Sequence, residues 1–268
     1  MSGSAGVALL TAGDFAHLDE DLPLLSAALE AAGVATVVVD WRDEAVDWTA
    51  VDLAVIRSTW DYTTQLDAFL DRLAAIEDRA PLLNPRTVVQ ANADKRYLRA
   101  LASAGVPVVP TEVIEPGDVV RLPEDVPFVV KPTVSAGGRD TERYSPAQRD
   151  EARVHAGELL DAGRAVLVQP YVEGIDEAGE TGLVFVGDAF SHAFRKGPIL
   201  GAGGALVEGL YREEDISART PTAEELAVAE VVLDAVDAVV QGIPAPTCST
   251  PGSISPLGRT VPSSWSWS

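Results

Sequence analysis

Over its first 84 residues the chain alternates short apolar runs with stretches of helical periodicity, and few folds accommodate that alternation. GVALLTA (6–12), VATVVVDW (34–41) and VDLAVIRST (51–59) are dense in Val, Leu and Ile and have the length of buried strands. DEDLPLLSAALEAAG carries apolar positions at helical spacing and stops at Gly33, and QLDAFLDRLAAIEDRA (65–80) repeats the pattern before PLLNP. Strands and helices in this order predict a parallel, open α/β sheet of Rossmann type. No G-x-G-x-x-G follows the first strand, and TAGDFAHLDEDL is too acidic to hold a pyrophosphate. An N-terminal α/β domain over 1–84 is therefore expected, but not one that holds a dinucleotide.

The pattern changes after residue 84. A helix is predicted over ANADKRYLRALASAG (91–105), then strand material in PFVVKPTVSAGGRDTERYS (127–145) and a helix over 146–163. RAVLVQPYVEG (164–174) follows. ETGLVFVGD and AFSHAFRKGP read as a hairpin turning near Gly187–Asp188. A Gly-rich loop (201–209) and a helix over 222–240 complete an α+β domain, 85–240, built of hairpins rather than βαβ units.

Composition narrows the function. A formal charge of −21 argues against nucleic acid and an anionic membrane surface, both of which need surface Lys and Arg. No run approaches the length of a spanning helix, and the N-terminus lacks the basic start of a signal peptide. One cysteine excludes an internal disulfide and a cysteine-rich metal site. The expectation is a soluble cytoplasmic protein acting on small molecules, with a homodimer left open. His17, His155 and His192 have no metal spacing and are read as structural.

The chain has 17 Arg but three Lys, and all three lie in segments suited to phosphate or base contacts. FVVKPTVSAGGRDT delivers Lys131 from a strand end, followed by the small turn Ser135, Ala136, Gly137, Gly138, whose amides can close on phosphate oxygens. Lys95 is placed at a helix start. VLVQPYVEG offers Gln169 and a hinge-like segment with acids after it, suited to an adenine edge and a ribose. HAFRKGP brings Arg195 and Lys196 together. RSTWDYT (57–63) puts Arg57, Ser58, Thr59, Trp60 and Asp61 where open α/β folds bind ligands. Arg57 can hold a carboxylate and Asp61 an ammonium; a helix N-cap with an aromatic packing contact is the alternative.

Taken in order, IRSTWDY, NADKRYL, VVKPTVSAGGRDT, VQPYVEG and GETGLVFVGDAFSHAFRKGP resemble the ATP-grasp superfamily. The nearest branch has glutathione-synthetase-like ATP-binding domains and includes the ligase that closes the cycloserine ring. The resemblance covers roughly residues 5–240. It implies a Rossmann-like domain followed by an ATP-grasp domain, and a carboxylate–amine or intramolecular amide-forming ligase working through an acyl phosphate. It further implies ATP contacts at Lys95 and Lys131, and Ser135–Gly138 as the loop over the β- and γ-phosphates. Gln169, Pro170, Tyr171 and Val172 match the adenine hinge, and Glu180 the acid on ribose or base. Arg195, or Lys196 beside it, matches the cation on the transferring phosphoryl group, and Mg²⁺ is implied through acids on two later strands.

Those acids are missing. Residues 241–268 hold seven Ser, five Pro, two Trp and no Asp or Glu, although the chain carries 41 acids in all. Codon degeneracy allows TPGSIS, read out of frame, to give an ARVDL-like string, and VPSSWSWS to give V-V-L-E-L-E. The tail is thus expected to be a frameshifted reading of two metal-binding strands. Its loss would leave the ATP-grasp domain incomplete, its metal ligands absent and apolar surface exposed. A genuine disordered Ser/Pro tail is the alternative. The chain as encoded is expected to be inactive. A nucleotide-binding pseudo-ligase, and a plain α/β binder using RSTWDY alone, are the other readings.

Overall fold

A computed structural model describes residues 6–241 except 188, 199 and 201–214. The predicted Gly-rich loop, Asp188 of the predicted turn, and the Ser/Pro tail beyond Gln241 lie outside the described residues. The chain divides into two compact units, Met1–Gln90 and Ala91–Ser268, against the expected boundary after residue 84.

In the first unit β1 (Gly6–Thr11), α1 (Asp21–Ala31), β2 (Thr36–Asp40), β3 (Val51–Ser58), α2 (Leu66–Glu77) and β4 (Leu82–Leu83) follow one another. The four strands form a wholly parallel sheet in the order β2-β1-β3-β4. This is the Rossmann-type arrangement the alternation predicts. Side chains on a strand alternate between faces. Ala8, Leu10, Ala12 and Ala54 therefore pack with Phe69, Leu73 and Ile76 of α2. Val7, Leu9, Leu53 and Val55 meet Leu22, Leu25 and Leu29 of α1.

The helix expected over 91–105 is two helices, α3 (Arg86–Ala93) and α4 (Tyr97–Ser103). Its apolar spacing runs on, but the ladder is interrupted because Lys95 N–H donates to the Thr133 carbonyl at 2.8 Å. The Asp94 carboxylate takes up the Arg96 amide at 2.9 Å. Local periodicity cannot report a bond made across the domain.

Next come β5 (Glu112–Ile114), β6 (Phe128–Pro132), β7 (Glu142–Tyr144), α5 (Arg149–Asp161) and β8 (Val166–Pro170). The strands pair antiparallel in the order β5-β8-β6-β7. α5 covers one face through Ala152, Ala156, Leu159 and Leu160, which pack on Phe128, Val130, Val166 and Val168. Ser145 and Gln148 form a capping box at the start of this helical stretch. After α6 (Gly174–Ala178), β9 (Glu180–Val186) and β10 (Ala189–Lys196) form the predicted hairpin, and β11 (Ile216–Arg219) adds a third antiparallel strand. α7 (Ala223–Gln241) packs on α4 through Val232, Ala235 and Val239 against Tyr97, Leu98 and Leu101.

Phe69 is fully buried, with its ring edge-on to Trp41 at 5.1 Å. Phe69→Ala is expected to destabilise the first unit by about 3–5 kcal/mol. Urea denaturation followed by tryptophan fluorescence would show it as a lower midpoint at unchanged slope.

Candidate functional site

Strand alternation selects which side chains of the second unit face away from α5. Phe128 and Val130 enter the α5 core, which turns Val129 and Lys131 to the opposite face. β8 pairs with β6 so that Lys131 lies across from Leu167 and Val129 from Gln169. Lys131 and Gln169 thus share one face of the sheet. The Lys131 side chain belongs to a residue only 4% exposed.

Lys95 reaches the same place from the helix break. Its ammonium donates to the Ser135 carbonyl at 2.6 Å and lies 2.9 Å from the Ser135 hydroxyl. The chain then turns through Gly137 and Gly138, both at positive φ, and Asp140 at φ 53°. Successive left-handed residues turn amides toward one side, a conformation that glycine adopts without strain. Arg164 closes the far end of this turn on Asp140 at 2.6 Å.

Burial lowers both lysines. It holds Lys95 near pKa 8 despite the nearby Asp94 charge. Lys131 falls to about 7, first from burial and then from the like charge of Lys95, with Glu180 acting in the opposite sense. Glu180 lies across from Lys196 in the β9–β10 ladder, and Thr181 across from Arg195. Lys196 therefore shares a face with Glu180, and Arg195 turns to the other. There Arg195 Nε donates to the Ala178 carbonyl at 2.8 Å, with Asp215 at 3.6 Å.

The hinge segment is more committed than the sequence suggests. Gln169 donates its amide to the Thr111 hydroxyl at 2.7 Å. Tyr171 N–H is taken by the Pro127 carbonyl at 2.8 Å. The Tyr171 hydroxyl donates to Asp176 at 2.5 Å, and Arg143 lies 3.5 Å from its ring centroid. Pro170 ends β8, and Val172 is exposed.

In the first unit RSTWDY occupies the carboxyl end of β3, but its polar residues diverge. Arg57 continues the row of Leu53 and Val55, and it donates to both oxygens of Asp19 at 3.0 and 3.3 Å. Asp19 also accepts the amides of Asp21 and Leu22, capping α1. Ser58 continues the row of Ala54 and Ile56, with its hydroxyl 2.9 Å from that of Thr11. Thr59 is buried, and Trp60 opens a short 3-10 turn. Asp61, 5% exposed, accepts the Trp41 indole N–H at 2.8 Å and sits 3.2 Å from the Arg42 guanidinium.

Arg42 is a residue the sequence reading missed. It grips Asp40 through Nε at 3.0 Å and Nη2 at 2.9 Å, and this fork holds the Asp40 carboxyl at about 2. The D-x-R pattern directly after a strand was the available signal. Arg57 and Asp61 thus take separate partners, Asp19 for the one and Trp41 with Arg42 for the other. Among the described residues, no group of three or more His, Cys, Asp or Glu is gathered for a metal, and no helix is long and apolar enough to cross a membrane.

The family profile for the N-terminal domain of D-cycloserine synthetase DcsG matches residues 7–84. The chain is 37% identical over 203 residues to the cycloserine biosynthesis protein DcsG of Streptomyces lavendulae, covering 72% of this chain and 68% of that protein. The chain belongs to the DcsG family. The crystal structure of D-cycloserine synthetase DcsG superposes with a TM-score of 0.78 at 33% identity, covering 88% of this chain and 82% of that one. A RimK-domain ATP-grasp protein of Sphaerobacter thermophilus aligns at TM-score 0.61 and 23% identity over 87% of this chain and 82% of its own. The D-alanine–D-alanine ligase of Bacillus anthracis, in its complex with ATP, aligns at 0.56 and 13% over 88% and 78%. These two likenesses show the fold, a Rossmann-like domain followed by an ATP-grasp domain.

Any anion bound beside the lysine pair would bind in a pH-dependent way. An anion raises both lysine pKa values, so binding takes up protons, and affinity falls as pH climbs through about 7 to 8. Titration calorimetry with tripolyphosphate in buffers of different ionisation enthalpy is expected to show proton uptake between pH 7 and 9.

Proposed function

We propose that this chain binds ATP at Lys95, Lys131 and the Ser135–Gly138 turn, in the manner of a ligase that joins a small-molecule carboxylate to an amine. One observation carries the reading: two ammonium groups brought into one buried place, both held below their ordinary pKa. A polyanion fits such a site, because its charge offsets both the desolvation and the mutual repulsion of the lysines. Membership of the DcsG family supports ATP as that polyanion and an intramolecular amide as the bond formed.

Bound ATP would supply a phosphoryl group to the substrate carboxylate, ADP leaving, and the amine would then displace phosphate. The residues of this chain bind and orient. Lys95 and Lys131 neutralise phosphate charge, and the amides of the Gly137–Gly138 turn add donors. Gln169 to Val172 border the base, and Glu180 the ribose or base. For the cation on the transferring group, the face shared with Glu180 favours Lys196 over Arg195. The substrate side belongs to Arg57–Asp61, with Arg42 and Asp40 added.

Residues 241–268, where the family resemblance places the acids for Mg²⁺, carry no Asp or Glu. On that composition the second reading is a pseudo-ligase, which binds nucleotide without sustained turnover.

Calorimetric titration with ATP, alongside a coupled assay for ADP release, tests this. ATP should bind, ADP release should stay at background, and Lys131→Met should weaken ATP at least about tenfold, as loss of a charge-assisted contact does. Unchanged affinity in that variant would remove the reading. Steady ADP release would overturn the pseudo-ligase part alone.

A further inference from the structure

Three side chains from separate segments meet beside the hinge. Arg143, the middle residue of β7, lays its guanidinium over the Tyr171 ring, 3.5 Å from the centroid. It also donates to Asp176 in α6 at 2.8 Å. Tyr171 donates its hydroxyl to the other oxygen of Asp176 at 2.5 Å. One cation thus ties the residue after β8 to the helix that follows, and the Asp176 carboxylate is filled from both sides.

β7 supplies this cation by alternation. Tyr144 turns into the α5 core, where its hydroxyl lies 3.1 Å from His155 Nδ1. Its neighbour Arg143 must then face the other way, and its side chain is only 15% exposed. Burial and the bond to Asp176 push the Tyr171 phenol up to about 12. The ring therefore stays neutral, and a guanidinium can lie on it throughout the physiological range.

We infer that Arg143 is a positioning residue for the nucleotide base: through Tyr171 and Asp176 it fixes the course of residues 171–176. Its contacts run to Tyr171 and Asp176. The inference rests on the ATP reading above, and it predicts that base-dependent affinity separates from phosphate-dependent affinity. Lysine is no equivalent substitute, since an ammonium has no planar fork to stack on the ring while also reaching Asp176.

The test compares ATP with inorganic tripolyphosphate, by calorimetry, on the full chain and on Arg143→Met and Arg143→Lys. Arg143→Met is expected to weaken ATP by about tenfold, from loss of the stacked, hydrogen-bonded cation, and to leave tripolyphosphate within about twofold of the parent chain. Arg143→Lys should fall between the two. Equal ATP affinity in the parent chain and Arg143→Met would overturn the inference and leave ATP binding intact. An equal loss for both probes would overturn it too, since that marks general damage. A parent chain that binds neither probe removes the nucleotide reading itself, and this inference with it.

Discussion

Lys131 sits at the end of a strand whose five residues are all buried, with a second lysine close enough to lower its pKa. Two like charges in a low-dielectric place oppose folding unless something holds them there. β6 does so because it is an inner strand, laddered to β7 on one side and β8 on the other. Lys95 is held by three hydrogen bonds, from its backbone to Thr133 and from its ammonium to Ser135. The break between α3 and α4 is the cost of placing that ammonium. A bound polyanion would relieve the repulsion.

The same period of two explains how one strand serves both the core and the hinge. In β7, Tyr144 enters the core beside His155 while Arg143 turns out to Tyr171 and Asp176. His155 is held below its ordinary pKa by burial, which suits a neutral ring against the Tyr144 hydroxyl. Shifting β7 by one residue would bury a guanidinium and expose an aromatic ring. The α5 core therefore holds the register on which the hinge contacts depend.

A glutamate ties the third sheet to the helix behind it in a comparable way. Glu225, in the first turn of α7, accepts from the Thr181 hydroxyl at 2.6 Å and from Arg219 at 3.1 Å. It also takes the Thr222 amide at 2.7 Å. A single carboxylate thus joins β9, β11 and the start of α7, and these bonds hold it below the usual carboxylate range.

Much of this was legible in the residues. Alternating apolar runs and helical periods determined the parallel first sheet, and the ETGLVFVGD–AFSHAFRKGP hairpin was readable from its strands and turn. The scarcity of lysine singled out Lys95 and Lys131 as candidates for an anion. Tertiary structure alone decided three further matters. It broke the 91–105 helix through a bond to Thr133, and it sent Arg57 to Asp19 while Asp61 went to Trp41 and Arg42. It also brought Arg143 onto Tyr171, 28 positions along the chain. The physical reason is common to all three: periodicity reports which face a residue takes on its own element, whereas the partner waiting on that face comes from an element elsewhere in the chain.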